Sequence, residues 1–299
     1  MRLALGTVQF GLPYGIANQV GQVTRSEAKA MLQLASESGI DTLDTAIGYG
    51  ESEICLGEAG VRNFKIVTKL PSIPAGCRDI SGWVNGQVSG SMDRLGVDEL
   101  YGLLLHRPED LLGSDGELLS RVLLGLKDKG QVCKLGVSIY SPHELDAINK
   151  LFSVDLVQAP FNLLDQRLHS TGWLDRLKSK GVEIHTRSVF LQGLLLMSQT
   201  AVPRQFARWD GLWDRWHKWL AVNNVTAVQA CLASPLAFEG IDRVVVGADN
   251  LSQLEQLIGT ANRSPLGQLP NLRCEEEDLI NPSQWPGLRE RPDQIARSR

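Results

Sequence analysis

Short apolar, β-branched runs alternate with stretches of helical period along most of this chain, and that alternation restricts its fold more than any other feature. The runs are Leu3–Leu5, Asp41–Thr45, Lys65–Leu70, Tyr101–Leu105, Lys134–Ser138, Leu156–Ala159, Glu183–Arg187 and Arg243–Val246, which predicts eight strands. The segments between them have helical periodicity. Over Thr24–Ser38, Thr24 with Glu27 three residues on predicts a capping box, and Gly39 a stop. Asp115–Lys129 ends at Gly130, Ser170–Lys180 ends at Gly181, and Ser141–Leu151 carries Pro142 in a first-turn position.

Strands alternating with helices imply a parallel sheet. Eight such units in roughly 250 residues match an α/β fold of the (β/α)8 TIM-barrel type. An open doubly wound sheet is the rival, but it carries a Gly-rich fingerprint after its first strand. Gly6-Thr7-Val8-Gln9-Phe10-Gly11 does not fit that fingerprint. No internal Pro/Gly-rich linker splits the chain. A single domain is expected over residues 1–286, with a disordered tail over residues 287–299.

Composition narrows the function classes. The 299 residues hold 30 Lys and Arg against 34 Asp and Glu, a net charge of −4, with the charges scattered. Without a basic stripe, no nucleic-acid partner is expected. No apolar run reaches the roughly 18 residues that span a bilayer. Gly6, Gly11 and Pro13 interrupt the apolar start, so no signal peptide or membrane association is expected, and the expected location is cytoplasmic. Cys55, Cys77, Cys133, Cys231 and Cys274 form neither a disulfide framework nor a metal clip, and read as reduced, mostly buried small hydrophobes. Trp209, Trp213, Trp216 and Trp219 share one helical face. They pack a helix onto the barrel, or else form a lid or an oligomer contact.

Active sites of such barrels lie at the C-terminal ends of the strands. The second run ends at Asp44, with Tyr49 in the following loop; the third ends at Lys69 and the fourth at His106. The next three give Ser138, then Gln158 and Asn162, then Arg187 and Ser188. Each has an ordinary structural use: Asp44 as a turn cap, Tyr49 as a loop aromatic, Lys69 as a solvated strand end, His106 as a core histidine. Together they suit carbonyl reduction. A phenol with a pKa near 10 is too weak an acid at neutral pH. A neighbouring Lys69 ammonium would lower that value, and Asp44 would hold the ammonium in place. His106 would hydrogen-bond the carbonyl or share the proton.

Leu43-Asp44-Thr45-Ala46-Ile47-Gly48-Tyr49-Gly50-Glu51-Ser52-Glu53 resembles the aldo-keto reductase signature. Val67-Thr68-Lys69, Leu104-Leu105-His106-Arg107-Pro108, Gly136-Val137-Ser138, Val157-Gln158-Ala159-Pro160-Phe161-Asn162 and Gln192-Gly193-Leu194-Leu195 resemble further motifs of that family, in the same order. The resemblance runs from about Leu3 to Trp285. It implies that Asp44, Tyr49, Lys69 and His106 form a catalytic tetrad, with Tyr49 as the general acid. It implies that Ser138 and Gln158 bind the nicotinamide carboxamide, with Arg187 and Ser188 beside it. Phosphates would lie near Gly193 and Leu194, and the adenosine end near Gly247, Ala248, Asp249, Asn250 and Gln253.

Two positions depart from the family pattern. Ile139 follows the serine where Asn is usual, and Arg187 stands where many members carry an aromatic. Arg187 would stack on the nicotinamide, bind the pyrophosphate or bind an anionic substrate. The segment after the last strand has no basic residue before Arg263. Family habit makes NADP(H) the expected cofactor, held by Asn250 and Ser252. NAD(H) stays open because Asp249 can accept from a ribose hydroxyl. The expected partner is a small-molecule carbonyl substrate, with a sugar considered because the Trp stripe would offer stacking surfaces; no metal is expected. Two other functions are carried: a non-catalytic cofactor-binding regulatory subunit, and a lyase using Lys69 as a Schiff base.

Overall fold

All eight strands form in the computed structural model: β1 (Leu3–Gly6), β2 (Thr42–Asp44), β3 (Lys65–Leu70), β4 (Leu100–Leu105), β5 (Val132–Ser138), β6 (Leu156–Pro160), β7 (Glu183–Arg187) and β8 (Arg243–Gly247). Each pairs in parallel with the next, and β8 pairs with β1, closing the barrel. The open doubly wound alternative is thereby excluded. The structure describes residues 1–263 and 266–285, so the tail expected at residues 287–299 lies outside the described residues.

Helices follow the strands: α1 (Arg25–Glu37), α2 (Ser52–Ala59), α3 (Ile80–Leu95), α4 (Gly116–Asp128), α5 (Glu144–Leu151), α6 (Trp173–Ser179), α7 (Asp210–Asn223), α8 (Ala227–Leu236) and α9 (Leu251–Ala261). Two expected starts differ. Thr24 caps the Glu27 N–H at 3.3 Å, but the Glu27 carboxylate turns away and accepts from the Leu251 N–H of α9. The reciprocal capping box occurs instead at Thr226 and Gln229. α5 begins at Glu144, because its carboxylate accepts from the N–H groups of Tyr140 and Ser141 and holds residues 141–143 as a turn.

Of the cysteines, Cys55 and Cys231 are buried, Cys77 and Cys274 half-buried, and Cys133 exposed, so burial is less general than expected. The Trp stripe packs inward. Trp213 and Trp216 are buried, and their indole N–H groups donate to Phe206 O and Leu195 O at 3.1 Å. Among the described residues, no helix is long and apolar enough to cross a membrane.

The barrel interior explains where the polar residues end up. Val67, Leu104 and Leu156 form an apolar plug inside the strands. Gly102 makes room for it, since a Cβ there would stand 3.2 Å from a Val67 methyl. Side chains two residues apart on a strand share a face. One step beyond the plug, the same faces deliver Lys69, His106 and Gln158.

Candidate active site

Asp44 is the hub of the polar layer above that plug. Its two oxygens each accept from Lys69 Nζ at 2.8 Å, and Oδ1 also accepts from Gln158 Nε2 at 2.6 Å. Lys69 Nζ donates further to Thr45 O at 2.7 Å, which accounts for all three ammonium protons. Ser138 Oγ donates to Gln158 Oε1 at 3.3 Å. Lys69 is only 1% exposed and Asp44 5%, so the pair is shielded from water. Burial lowers the Lys69 pKa, and Asp44 opposes that shift.

Tyr49 arrives from the β2 loop. Its backbone is clasped by the one-turn helix Val8–Gly11: a Cβ on Gly11 would stand 1.8 Å from Tyr49 O. The Tyr49 ring centroid lies 5.1 Å from Lys69 Nζ and 5.9 Å from the His106 ring, which meets it edge-on. Burial, then the Asp44 carboxylate, pushes the Tyr49 phenol well above its ordinary value, while Arg187 pulls it down. This differs from the expected lowering by Lys69. The ammonium is spent on Asp44 and Thr45, and the cation that acts on the phenol is Arg187.

Burial also lowers the His106 pKa to about 4, with Lys69 and Arg187 adding to the shift, so the imidazole is neutral at pH 7. The unfolded chain then binds a proton that the folded chain refuses. Stability is expected to fall as pH drops from 6.5 towards about 4, where the folded imidazole titrates. Urea unfolding at pH 7, 5.5 and 4.5 checks this. His106→Gln should lose a smaller share of its stability over that interval than the parent, and equal losses would contradict the shift.

These residues stand at one end of a cavity of about 550 Å³, which runs from Tyr49 and His106 past β7 to the start of α9. Of the candidates, Asp44, Tyr49, His106, Ser138, Gln158, Arg187, Ser188, Gly193, Gly247, Asp249 and Gln253 line it. Lys69 stands behind Asp44. Leu194 and Ala248 do not line it: both are buried in the core outside the strands. Asn250 also stays off the wall, because its side chain caps α9 through the Gln253 N–H.

Arg187 has settled positions within the protein. Its guanidinium lies 4.6 Å from the Tyr140 ring centroid and donates to Ile139 O at 2.9 Å. Ile139, the position where the family motif has Asn, therefore contributes its carbonyl to holding Arg187. Ser188, Leu191 and Gln192 have positive φ, as has Gly193. Asn162 supports that turn by donating to Ser188 O at 3.0 Å.

Sequence reasoning missed several lining residues. Gln9 follows β1 as Tyr49 follows β2, and the strand-end rule would have flagged it. Tyr14, Ala17 and Asn18 come from the same β1 loop and bridge the cavity. Tyr14 Oη accepts from Gln192 Nε2 at 3.2 Å, and Asn18 Nδ2 donates to Asp249 Oδ1 at 3.3 Å. A Cβ on Gly193 would stand 2.4 Å from Ala17 Cβ. No sequence signal announces this strap.

Among the described residues, no group of three or more His, Cys, Asp or Glu is arranged to hold a metal. The cavity fits an elongated dinucleotide. It has a polar end, a turn of left-handed backbone and a helix start, and Gln9 Oε1 is a buried acceptor without a hydrogen-bond partner.

Comparison with known proteins finds relatives that match most of the chain. The oxidoreductase sirO of Leptosphaeria maculans is 26% identical over 301 residues, covering 88% of this chain and 89% of the relative. D-threo-aldose 1-dehydrogenase of a Pseudomonas species is 29% identical over 303 residues, covering 85% of this chain and 89% of the relative. The structure of an aldo-keto reductase from Bacillus halodurans in its holo form superposes with a TM-score of 0.70 at 20% identity, over 89% of this chain and 88% of that one, which speaks to the fold. The model of the aldo/keto reductase family matches residues 2–270, and the chain belongs to that family.

Proposed function

We propose that this chain reduces an aldehyde or ketone to an alcohol with NAD(P)H, Tyr49 donating the proton. The reduced nicotinamide, when bound, supplies the hydride. Ser138, Gln158 and Arg187 line the wall where that ring would be held. The observation that carries the reading is the meeting of Tyr49, neutral His106 and the buried Asp44–Lys69 pair at one end of the cavity. Tyr49 is protonated at neutral pH, and its raised pKa makes it a weaker acid at rest, so proton release depends on a cation that offsets the phenolate. Neutral His106 positions the carbonyl oxygen by a hydrogen bond. As the phenol proton leaves, Arg187 offsets the new negative charge.

The Schiff-base alternative needs a free, unprotonated amine. Lys69 Nζ instead makes three hydrogen bonds, two of them to a carboxylate, which favours the ammonium. The regulatory-subunit alternative needs cofactor binding without turnover. The substrate is a small carbonyl compound, and the aldose dehydrogenase among the relatives makes aldoses a fitting first panel. Stacking on the Trp stripe no longer supports a sugar, because Trp213 and Trp216 are buried.

The test is oxidation of NADH and NADPH by the purified chain with a panel of aldehydes, ketones and aldoses, read at 340 nm. Turnover with at least one class is expected. Tight cofactor binding without turnover on any of them would favour the regulatory reading. We also read residues 1–286 as one domain. Expression of that segment alone should give the thermal transition of the full chain.

A further inference from the structure

The cavity has two ends, and the second is chemically distinctive. Asp249, Gln253, Gln256 and Leu257 line it, where β8 passes into α9. A dinucleotide whose reactive ring lies beside Tyr49 must place its adenosine ribose here, so the inference rests on the nicotinamide reading above. A free helix start would attract a phosphate through its N–H groups. This one is already capped by negative charge. Glu27, reaching across from α1, accepts from the Leu251 N–H at 2.7 Å. The Asn250 side chain accepts from the Gln253 N–H at 2.9 Å.

Two further acceptors stand at this end. Asp249 is a carboxylate beside the helix start, hydrogen-bonded to Asn18, Gln9 and Gln253. Gln9 is 9% exposed and lines the same cavity, and its Oε1 lacks a hydrogen-bond partner. Gly247 keeps the space over it open, since a Cβ there would stand 2.5 Å from the Gln9 amide nitrogen. Among the described residues lining this end there is no Lys or Arg. A ribose hydroxyl can donate to such acceptors. A phosphate monoester, largely dianionic at pH 7, brings acceptors and charge of the wrong sign.

We propose that Glu27, together with Asp249, restricts the adenosine end of the cavity to an unphosphorylated ribose and so selects NAD(H) over NADP(H). The segment after β8 shows only one of these carboxylates to a reader of the sequence. Glu27 comes from 224 positions away and reverses the expectation set by family habit.

The experiment is equilibrium titration of the full chain with NADH and with NADPH, followed by quenching of tryptophan fluorescence. Glu27→Gln keeps an oxygen to cap Leu251 and removes only the charge. The parent is expected to bind NADH about tenfold or more tighter than NADPH, the scale of like-charge repulsion at a binding site. Glu27→Gln should tighten NADPH by about three- to tenfold and leave NADH within about twofold. Asp249→Asn should move NADPH the same way, which keeps the test alive if one variant misfolds. A parent that prefers NADPH, or substitutions that leave the NADPH constant unchanged, would overturn the proposal while the reductase reading stands. Binding of neither cofactor would overturn both.

Discussion

Tyr49→Phe is expected to lower kcat for carbonyl reduction by about two to four orders of magnitude, the usual worth of a positioned general acid. Only a hydroxyl is removed. The ring that packs edge-on against His106 and lies over Lys69 Nζ remains, so the cavity keeps its shape. NADH affinity should therefore stay within a fewfold of the parent. Steady-state rates on the best substrate of the panel, with dissociation constants from fluorescence, separate the two effects. The raised phenol pKa adds a second expectation: the reduction rate of the parent should not decline through neutral pH on account of Tyr49. A variant with full turnover would place the donor elsewhere, and His106 would be the next group to test.

Lys69→Met should destabilise the fold as well as the chemistry. The substitution strands the Asp44 carboxylate inside the barrel with Gln158 as its remaining side-chain donor. Breaking a buried ion pair by removing one partner costs about 3–5 kcal/mol. For a chain of this size that is a fall in Tm of about 5–8 °C. Adding Asp44→Asn should recover part of the loss, because it removes the uncompensated charge; the double variant should be more stable than the sum of the singles. Thermal and urea unfolding of the three variants measure this. A Lys69→Met protein as stable as the parent would mean that Asp44 is solvated without its partner.

The strand-end residues were legible because period and position act together. Parallel strands covered on both sides read as apolar runs, and the strand ends face the site. Lys69, His106 and Gln158 follow from Val67, Leu104 and Leu156 by a step of two residues on each strand. The rest depended on contacts remote in sequence. Glu27 looks like half of a capping box, yet its carboxylate is bonded to a helix start at the far end of the chain. Leu194 and Ala248 sit among motif residues but turn to the core outside the strands. The sign of the Tyr49 shift was also hidden, since it depends first on the burial of the phenol and then on the nearby Asp44 carboxylate, both set by the packed fold.

The strap from the β1 loop bears on time rather than on affinity. Tyr14 and Asn18 fasten it to Gln192 and Asp249, on either side of the close contact between Ala17 and Gly193. Single hydrogen bonds of this kind are each worth about 1 kcal/mol net, so the fastening is shallow. A long molecule threaded along the cavity nevertheless leaves only when these fastenings part together. Its residence is then governed by a loop-opening rate, and loop motions of this kind run on microsecond to millisecond timescales. A carbonyl compound at the Tyr49 end is short enough to come and go without disturbing the strap. Two guests of such unequal length would therefore keep separate clocks.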